Sequence, residues 1–364
     1  MEVDSMNIID INTSSPYPLI AGSGLLKETG GHIRRFIPEA RAVAVITDDT
    51  VDRLYGNKVR ESIRSAGLEV HTYVLPHGEA SKSGENYLRI LNFLAEKHIT
   101  RTDMIVALGG GVVGDLAGFA AATFLRGIRF IQLPTTLLAQ VDSSVGGKTA
   151  IDLPAGKNLA GAFYQPALVL CDLDTLDTLP EETFTDGCAE VIKYGILWEE
   201  KLFEHLKEKG TGFDREYTVT RCIEMKRDAV VKDELDRGER QLLNLGHTLA
   251  HAAEMLNDYQ LSHGRAVAMG MAAIARAAAA NGICSGQCAA EIVNVLLRFG
   301  LPVQFENSCE QLYQVVLSDK KRRGNRISLI LPEAIGHCVI RQYTVDEVKG
   351  FISAGLKEDM QMKI

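Results

Sequence analysis

The chain has 364 residues, of which 46% are hydrophobic and 24% charged, and its net charge at pH 7 is −8. This length favours two domains, and the composition is typical of a globular enzyme. The acidic balance argues against nucleic acid or an anionic membrane as a partner. The N-terminus lacks the pattern of a secretory signal, no apolar run reaches the length of a membrane span, and the seven cysteines contain no CxxC pair. We therefore expect a cytoplasmic protein with reduced thiols.

Apolar segments of strand length alternate with helix-like segments in the first half of the chain. The predicted strands, rich in β-branched residues, are 42–47, 68–76, 104–109, 128–134 and 167–173. Predicted helices between them include 51–67 and 83–98. Strands and helices that alternate at this spacing indicate parallel βαβ units with right-handed crossovers. The first half therefore predicts an α/β domain with a parallel sheet.

Long helix-like segments dominate the chain after Pro180. The predicted helices, in which Ala and Leu recur at helical spacing, are 184–210, 215–235, 245–256 and 264–282. A small hairpin is predicted from 326–332 and 338–343. The change of pattern places a domain boundary near residues 175–180 and predicts a helical second domain.

A glycine-rich turn follows the apolar segment Met104–Leu108. Gly109, Gly111 and Gly114 fit the dinucleotide fingerprint, because the motif follows a strand and opens a helix. Unpaired N–H groups and the helix dipole at such a turn favour a pyrophosphate. The motif follows the third predicted strand, however, and no acidic residue stands about twenty positions further on to bind a ribose. A tight strand-to-helix turn without a ligand is the alternative.

Further polar residues lie where predicted parallel strands end, which is the edge at which such sheets bind ligands. Asp48 ends the first predicted strand and is a candidate for binding the ribose, with a helix N-cap as the alternative. Glu79 and Lys82 follow the second predicted strand. The cations that come later near further glycines, and that favour a second anionic ligand, are Arg126, Lys148 and Lys157.

Histidines and charged residues cluster in the helical half. His247 and His251 stand four apart on one predicted helix, a spacing common in metal pairs, and His263 begins the next helix. Solvated histidines on a helix surface are the alternative. Glu190 and Lys193 share an earlier helix, where an i,i+3 ion pair would also explain them. The other cations of this half, for which a surface position is the alternative, are Lys226, Arg240, Lys320 and Lys321.

Several longer segments then carry a resemblance to a known family. In chain order they are RGIRFIQLPTTLLAQVDSSVGGKTAID, GKNLAGAFYQP, AEVIKYG, LLNLGHTLAHAAE and DKKRRG. Together they resemble the 3-dehydroquinate synthase family over about residues 42 to 336. The resemblance implies a Rossmann-like NAD-binding domain over residues 1–178 and an all-α metal- and substrate-binding domain over residues 179–364. It also implies a homodimer.

The resemblance implies an enzyme of the shikimate pathway whose substrate is a sugar acid phosphate. The enzyme would convert 3-deoxy-D-arabino-heptulosonate 7-phosphate to 3-dehydroquinate and phosphate. The steps are transient NAD-dependent oxidation, β-elimination of phosphate, re-reduction and intramolecular aldol closure. Such an enzyme is a carbon–oxygen lyase that depends on NAD and on a divalent metal, zinc or cobalt.

The resemblance also implies a role for individual residues. The metal ligands would be Glu190, His247 and His263. The catalytic residues would be Asp142, Lys148, Lys193, Asn244 and His251. The substrate-binding residues would be Arg126, Asn158, Lys226, Arg240 and one of Lys320 and Lys321. The NAD-binding residues would be Asp48, Glu79, Lys82, Gly110, Gly111, Val112, Val113, Gly114, Asp115, Thr135, Thr136, Lys157 and Thr178. In this assignment Asp142 orients the reacting hydroxyl, and His251 is a proton-transfer residue rather than a metal ligand.

Three other classes of protein are alternatives. One is another sugar phosphate cyclase, such as a 2-deoxy-scyllo-inosose synthase, and a second is a metal-dependent polyol dehydrogenase. The third is a nucleotide-binding regulator without catalysis. The segments VDSSVGGKTAI and AFYQP, together with Arg240, favour the 3-dehydroquinate synthase branch.

Overall fold

Two units make up the chain in the computed structural model, which describes residues 7–318 and 326–356. The first unit holds the residues up to Pro180 together with Arg215–Leu235. The second unit holds Glu181–Asp214 and the residues from Asp236 onward. The sequence predicted a single division after residue 178. The segment 215–235, which that division assigned to the second domain, is grouped with the first unit instead.

The strands form one large sheet and two hairpins. Their bounds are β1 Asn7–Ile11, β2 Tyr17–Gly22, β3 Ala42–Asp48, β4 Glu69–Leu75, β5 Met104–Gly109, β6 Arg129–Pro134, β7 Lys148–Leu153, β8 Gly156–Phe163, β9 Leu168–Asp172, β10 Arg326–Ala334 and β11 His337–Thr344. The hairpins are β7–β8 and β10–β11. The sequence predicted the second of these hairpins but not the first.

The helices include most of those predicted from the sequence. Their bounds are α1 Thr29–Phe36, α2 Asp49–Val51, α3 Asn57–Ser65, α4 Gly84–Glu96, α5 Gly111–Thr123, α6 Glu181–Trp198, α7 Glu200–Lys209, α8 Arg215–Lys232, α9 His247–Leu256, α10 His263–Ala280, α11 Gly286–Arg298, α12 Cys309–Ser318 and α13 Val345–Leu356. The predicted helix 184–210 is two helices, α6 and α7. Within the described ranges, no helix combines the length and the hydrophobicity needed to cross a membrane.

The seven-stranded sheet of the first unit has the order β1-β2-β9-β6-β5-β3-β4. Its neighbouring strands are parallel except for β1 and β2. Helices α1 and α3 pack on one face, where Val45 is buried, and α4 and α5 pack on the other, where Ile46 is buried. Strands covered on both faces give continuous apolar segments, and that is why β3, β5, β6 and β9 were predictable. The predicted parallel α/β sheet is confirmed.

Helix α8 packs against β1, β2 and the π-helical turn Ala139–Ser143. Neither strand was predicted from the sequence, and β1 alternates buried and more exposed positions instead of forming an apolar run. Because β1 and β2 extend the sheet at one edge, they offer α8 an apolar surface to cover. This surface explains why α8 is grouped with the sheet.

Helix α10 is the centre of the second unit, where it packs against α6, α9, α11 and α13. Its buried residues are mostly alanine and glycine, so the neighbouring helices approach closely. The position of a Cβ on Gly270 would overlap the carbonyl oxygen of Gly246. Gly246 itself has a φ of +78°, and a Cβ there would lie 2.9 Å from the carbonyl oxygen of Val267. The predicted helical character of this part is confirmed, but it is not all-α, because it also contains the predicted hairpin β10–β11.

Candidate metal and cofactor sites

Three side chains of the second unit converge on one point. Glu190 lies on α6, and His247 and His263 are the first residues of α9 and α10. Each offers one ligand atom, and these atoms lie within 4.8 Å of one another. Oε1 of Glu190 is 3.5 Å from Nε2 of His247 and 3.7 Å from Nε2 of His263. Two imidazole nitrogens and one carboxylate oxygen suit a divalent zinc or cobalt ion with positions left for substrate.

The backbone around these residues explains how they meet. Oδ1 of Asp186, one turn before Glu190 on α6, accepts hydrogen bonds from the Ser262 hydroxyl at 2.5 Å and the Arg265 N–H at 3.0 Å. Asp186 therefore caps the first turn of α10 from another helix. A Cβ on Gly264 would overlap the carbonyl of Asp186, so glycine permits this approach. The contact sets α10 against α6 so that His263 lies beside Glu190.

Both histidines of this cluster have a partner at their other ring nitrogen. Nδ1 of His247 is 3.0 Å from the carbonyl oxygen of Leu245, and Nδ1 of His263 is 3.5 Å from Oε1 of Glu254. Burial alone would lower the pKa of His263, but hydrogen bonds to Glu190 and Glu254 raise it to about 10. Without a metal, His263 therefore carries a proton at neutral pH, and a divalent ion would replace that positive charge.

Lys193, predicted as catalytic, lies beside this cluster. Its side chain is 1% exposed and forms an ion pair with Glu190, so the predicted i,i+3 pair is present. His251 is not one of the three converging residues, although its ring lies 5.5 Å from that of His247. The predicted helix pair of histidines is thus not itself the ligand set. Arg240 is also buried, at 1% exposed, and the side-chain amide of Asn244 donates to the carbonyl of Gln241 at 3.1 Å.

The glycine-rich turn of the first unit forms a cradle of backbone at the start of α5. A Cβ on Gly110 would lie 3.1 Å from Cγ2 of Thr136, and one on Gly111 would lie 3.2 Å from Oγ of Ser143. The Thr135 N–H donates to the carbonyl of Gly109 at 3.0 Å, which places the turn at Thr135 beside the glycines. The buried Thr135 hydroxyl has no hydrogen-bond partner within the part of the chain that the structure describes. This arrangement fits an anionic group such as a pyrophosphate.

Lys82 is the centre of a second cluster in the first unit. It is 5% exposed, and its ammonium donates to Oδ2 of Asp115 and to Oδ1 of Asn158, each at 2.5 Å. Burial alone would lower the pKa of Lys82, but Asp115 and Glu79 raise it above its ordinary value. Burial raises the pKa of Asp115 and of Glu79, although Lys82 opposes both shifts. Asn158, implied to bind substrate, thus lies with residues implied to bind NAD.

Asp152 belongs to the Lys82 cluster but was not predicted. Its Oδ1 accepts the N–H of Asn158 at 2.8 Å, and its own N–H donates to the carbonyl of Lys82 at 2.8 Å. These bonds tie the hairpin β7–β8 to the loop after β4. Asn158 has a φ of +56°, a conformation in which asparagine is enriched. A sequence signal was present in DLPAGKN, where an Asp and an Asn flank a Pro-Gly turn.

Asp142 and Lys226, predicted as catalytic and substrate-binding, form an ion pair within the first unit. Asp142 lies in the π-helical turn Ala139–Ser143, a kind of turn frequent at functional sites. Lys226 is 6% exposed on α8. The pair depends on the packing of α8 against that turn, which the sequence did not predict.

The remaining predicted residues of the first unit differ in their burial and in their partners. Oδ1 of Asp48 accepts the N–H groups of Thr50 and Val51, each at 2.9 Å, so the alternative of an N-cap is observed. Val113 is 2% exposed and packs in the core, while Val112 is half-buried. The other placements are Arg126 and Lys148 exposed, Lys157 half-buried and the Thr178 hydroxyl bonded to that of Tyr55. Lys320 and Lys321 lie outside the described residues.

The fold places the chain in a class of proteins with known structures. A 2-deoxy-scyllo-inosose synthase complexed with carbaglucose-6-phosphate, NAD⁺ and Co²⁺ is 23% identical with a TM-score of 0.85, covering 96% of this chain and 99% of that one. The 2-epi-5-epi-valiolone synthase of Streptomyces hygroscopicus subsp. jinggangensis, with NAD⁺ and Zn²⁺ bound, is 23% identical with a TM-score of 0.85, covering 98% of each chain. The chain has the fold of the sugar phosphate cyclases.

Sequence comparison identifies the family within this class. The profile of the 3-dehydroquinate synthase N-terminal domain matches residues 72–186, and that of the C-terminal domain matches residues 187–322. The 3-dehydroquinate synthase of Pelobacter propionicus is 46% identical over 353 residues, covering 94% of this chain and 98% of that protein. The chain belongs to the 3-dehydroquinate synthase family, as the sequence motifs predicted.

Proposed function

We propose that this chain converts 3-deoxy-D-arabino-heptulosonate 7-phosphate to 3-dehydroquinate and phosphate. The observation that carries the proposal is the identity of 46% over 94% of the chain to a protein named 3-dehydroquinate synthase. The cyclases named for other products share only 23% of their residues with this chain. Breaking the carbon–oxygen bond to phosphate by β-elimination would make the activity that of a carbon–oxygen lyase.

The two cofactors of the proposed reaction fit separate sets of residues. Glu190, His247 and His263 would hold the divalent metal, because their three donor atoms already converge. The turn from Gly110 to Asp115, with Thr135 and Thr136 beside it, would hold the pyrophosphate of NAD. When bound, NAD supplies reversible oxidation of a hydroxyl, and zinc or cobalt supplies Lewis-acid polarisation.

Charged side chains of the chain would bind and orient the substrate. Lys193 and Arg240 are buried cations of the second unit, and Lys226 is a buried cation of the first unit. A substrate with a carboxylate and a phosphate needs several such donors, because an unpaired charge is costly to desolvate. Asp142, whose carboxylate is paired with Lys226, would accept a hydrogen bond from the reacting hydroxyl. His251, beside the metal cluster but not part of it, would move a proton.

An assay with two substrates tests the proposed function. The purified full chain is incubated with NAD⁺ and zinc, and phosphate release is followed from the heptulosonate phosphate and from glucose 6-phosphate. We expect release from the heptulosonate phosphate without accumulation of free NADH. Turnover of glucose 6-phosphate alone would instead indicate a 2-deoxy-scyllo-inosose synthase, and stoichiometric NADH would indicate a polyol dehydrogenase.

Homodimerisation and a cytoplasmic location belong to the same proposal. Homodimerisation derives from the family resemblance, and the cytoplasmic location derives from the composition of the chain. Light scattering coupled to size-exclusion chromatography tests the first, since a monomeric mass would contradict it. Fractionation of the producing cell tests the second.

A further inference from the structure

A buried carboxylate outside the predicted site residues lies against one of the metal-cluster histidines. Glu254 is on α9, two turns after His247, and its side chain is 4% exposed. Its Oε1 is 3.5 Å from Nδ1 of His263, while Nε2 of the same ring is 3.7 Å from Glu190. The His263 ring therefore lies between two carboxylates, one at each nitrogen.

The two ligating histidines are held by different partners. Nδ1 of His247 lies against a neutral backbone carbonyl, that of Leu245 at 3.0 Å, whereas Nδ1 of His263 lies against a charged side chain. His247 is thus oriented by its own chain segment. His263 sits at the first turn of α10, with its side chain about one third exposed, and relies on a residue of another helix for its orientation.

We propose that Glu254 is a positioning residue that accepts the Nδ1 proton of His263 and so fixes the tautomer whose Nε2 lone pair faces the metal. A carboxylate in this place also raises the basicity of the imidazole, which strengthens its bond to a divalent ion. The inference rests on the proposed metal site at Glu190, His247 and His263. It concerns affinity for the metal and not the choice of substrate.

The charges of the cluster agree with this role. Glu190 and Glu254 contribute two negative charges, and Lys193 contributes one positive charge through its ion pair with Glu190. Both carboxylates would attract a divalent ion that binds to the two histidines. A neutral residue at position 254 would reduce that attraction as well as release the ring.

Three substitutions at this position separate the hydrogen bond from the charge. Glu254→Gln keeps an acceptor oxygen at the same reach, Glu254→Asp keeps the charge at shorter reach, and Glu254→Met keeps the volume without an acceptor. Binding of Co²⁺ and Zn²⁺ to each full-length variant is measured by competition with a chelator, without NAD or substrate. Glu190→Gln serves as the reference for loss of the site.

We expect Glu254→Met to lower metal affinity by about 10- to 100-fold, the usual effect of losing an outer-shell partner. Glu254→Gln should recover about half of that loss on a logarithmic scale, because it still accepts the Nδ1 proton. The visible absorption of bound Co²⁺ should change in Glu254→Met and return toward the parent spectrum in Glu254→Gln. A purely structural role would instead lower the melting temperature of the metal-free protein and leave metal affinity unchanged.

The outcomes distinguish this inference from the proposed function. If the parent chain binds metal and Glu254→Met binds it equally well, the role of Glu254 is overturned while the proposed function stands. If Glu254→Met loses affinity but the parent chain releases no phosphate from the heptulosonate phosphate, the proposed function fails and the role of Glu254 stands. If Glu254→Met does not fold, Glu254→Asp and Glu254→Gln decide. Metal affinity equal to that of the parent chain in both variants would overturn the role. A parent chain that binds neither metal overturns it too.

Discussion

The Lys82 cluster of the first unit and the Glu190 cluster of the second unit both bury carboxylates around a lysine, but they arrange their partners differently. Lys82 donates to Asp115 and Asn158, so each of these hydrogen bonds joins a donor of the cluster to an acceptor of the cluster. Around Glu190, two imidazole nitrogens face the same carboxylate oxygen. Buried charge alone therefore does not indicate a metal site. Convergence of several lone pairs on one point does.

In both clusters, neighbouring carboxylates raise the pKa of a basic side chain, but the two basic groups differ. Lys82 keeps its proton, because neighbouring carboxylates raise its pKa despite burial. His263 gains a proton, because burial is outweighed by hydrogen bonds to Glu190 and Glu254 that raise its pKa to about 10. The first cluster is complete with its own cation, whereas the second holds a proton in the place where a metal would bind.

The largest effect is expected at the centre of the second cluster. Glu190→Gln removes the negative charge and replaces one carboxylate oxygen by an NH₂ group that cannot bind a metal. Affinity for Zn²⁺ or Co²⁺ should therefore fall by at least about 100-fold, beyond what an outer-shell change causes. Equilibrium dialysis with elemental analysis measures it. Glu182→Gln, an exposed position on the same helix, is the matched control and should bind as the parent does. An equal loss of metal affinity in both variants would contradict the assignment of Glu190 as a metal ligand.

The corresponding change in the first cluster should affect stability instead of metal binding. Lys82→Met leaves Asp115 without its cation, and we expect a loss of about 3–5 kcal/mol in the free energy of unfolding at neutral pH. Asp115 already has a raised pKa in the folded state, and removal of Lys82 raises it further. A carboxyl whose pKa is raised on folding destabilises the folded state above its unfolded-state pKa, and this penalty disappears as the pH falls below that value, so the loss should shrink in acid.

Denaturant unfolding at acidic and neutral pH measures the effect of Lys82→Met. Lys97→Met, at an exposed lysine of the same unit, is the control and should change stability little at either pH. A loss that does not depend on pH would contradict the role assigned to Asp115.

A smaller effect is expected at the residue that joins α6 to α10. Asp186→Ala removes the acceptor for the Ser262 hydroxyl and the Arg265 N–H, which should cost about 1–2 kcal/mol, as for other helix caps. Asp186→Asn keeps an acceptor oxygen and should recover most of this loss. Thermal unfolding of the two variants tests the pair, and identical behaviour of Ala and Asn at this position would rule out the cap.

The smallest effect on metal binding is expected at His251. Because His251 is not one of the converging donors, His251→Ala should leave Zn²⁺ affinity within about threefold of the parent, which is below the effect of an outer-shell partner. Phosphate release should still fall, since we propose proton transfer for this residue. His247→Ala is the comparison on the same helix and should lose the metal. If the two variants lose affinity alike, the helix pair of histidines is the ligand set after all.

The sequence predicted those parts of the fold that depend on local pattern. Strands β3, β5, β6 and β9 are apolar on both faces, and α9 and α10 show clear helical spacing. β1 was missed because its burial alternates at the sheet edge, and the grouping of α8 with the sheet depended on β1 and β2. These features arise from long-range packing, which no local window contains.

The candidate site shows the same limit. Spacing alone left His247 with His251 as an open possibility, and only the family motifs implied Glu190, His247 and His263, which the structure brings together. Glu254, Asp186 and Asp152 escaped prediction, since each acts through a partner that lies on another helix or across a turn. An acidic residue on a helix carries no local sign that its partner is a histidine of another helix.

The contact between Gly246 and Gly270 has a consequence for how this site tolerates change. Two backbones touch there without any side chain between them, so the distance from α9 to α10 is a fixed dimension of the chain and not the average over adjustable rotamers. His247 and His263 each stand at the end of one of those helices. An ion of different radius would therefore be accommodated by the histidine and glutamate side chains alone. Position 270 limits redesign of the site although Gly270 is not one of the three converging residues.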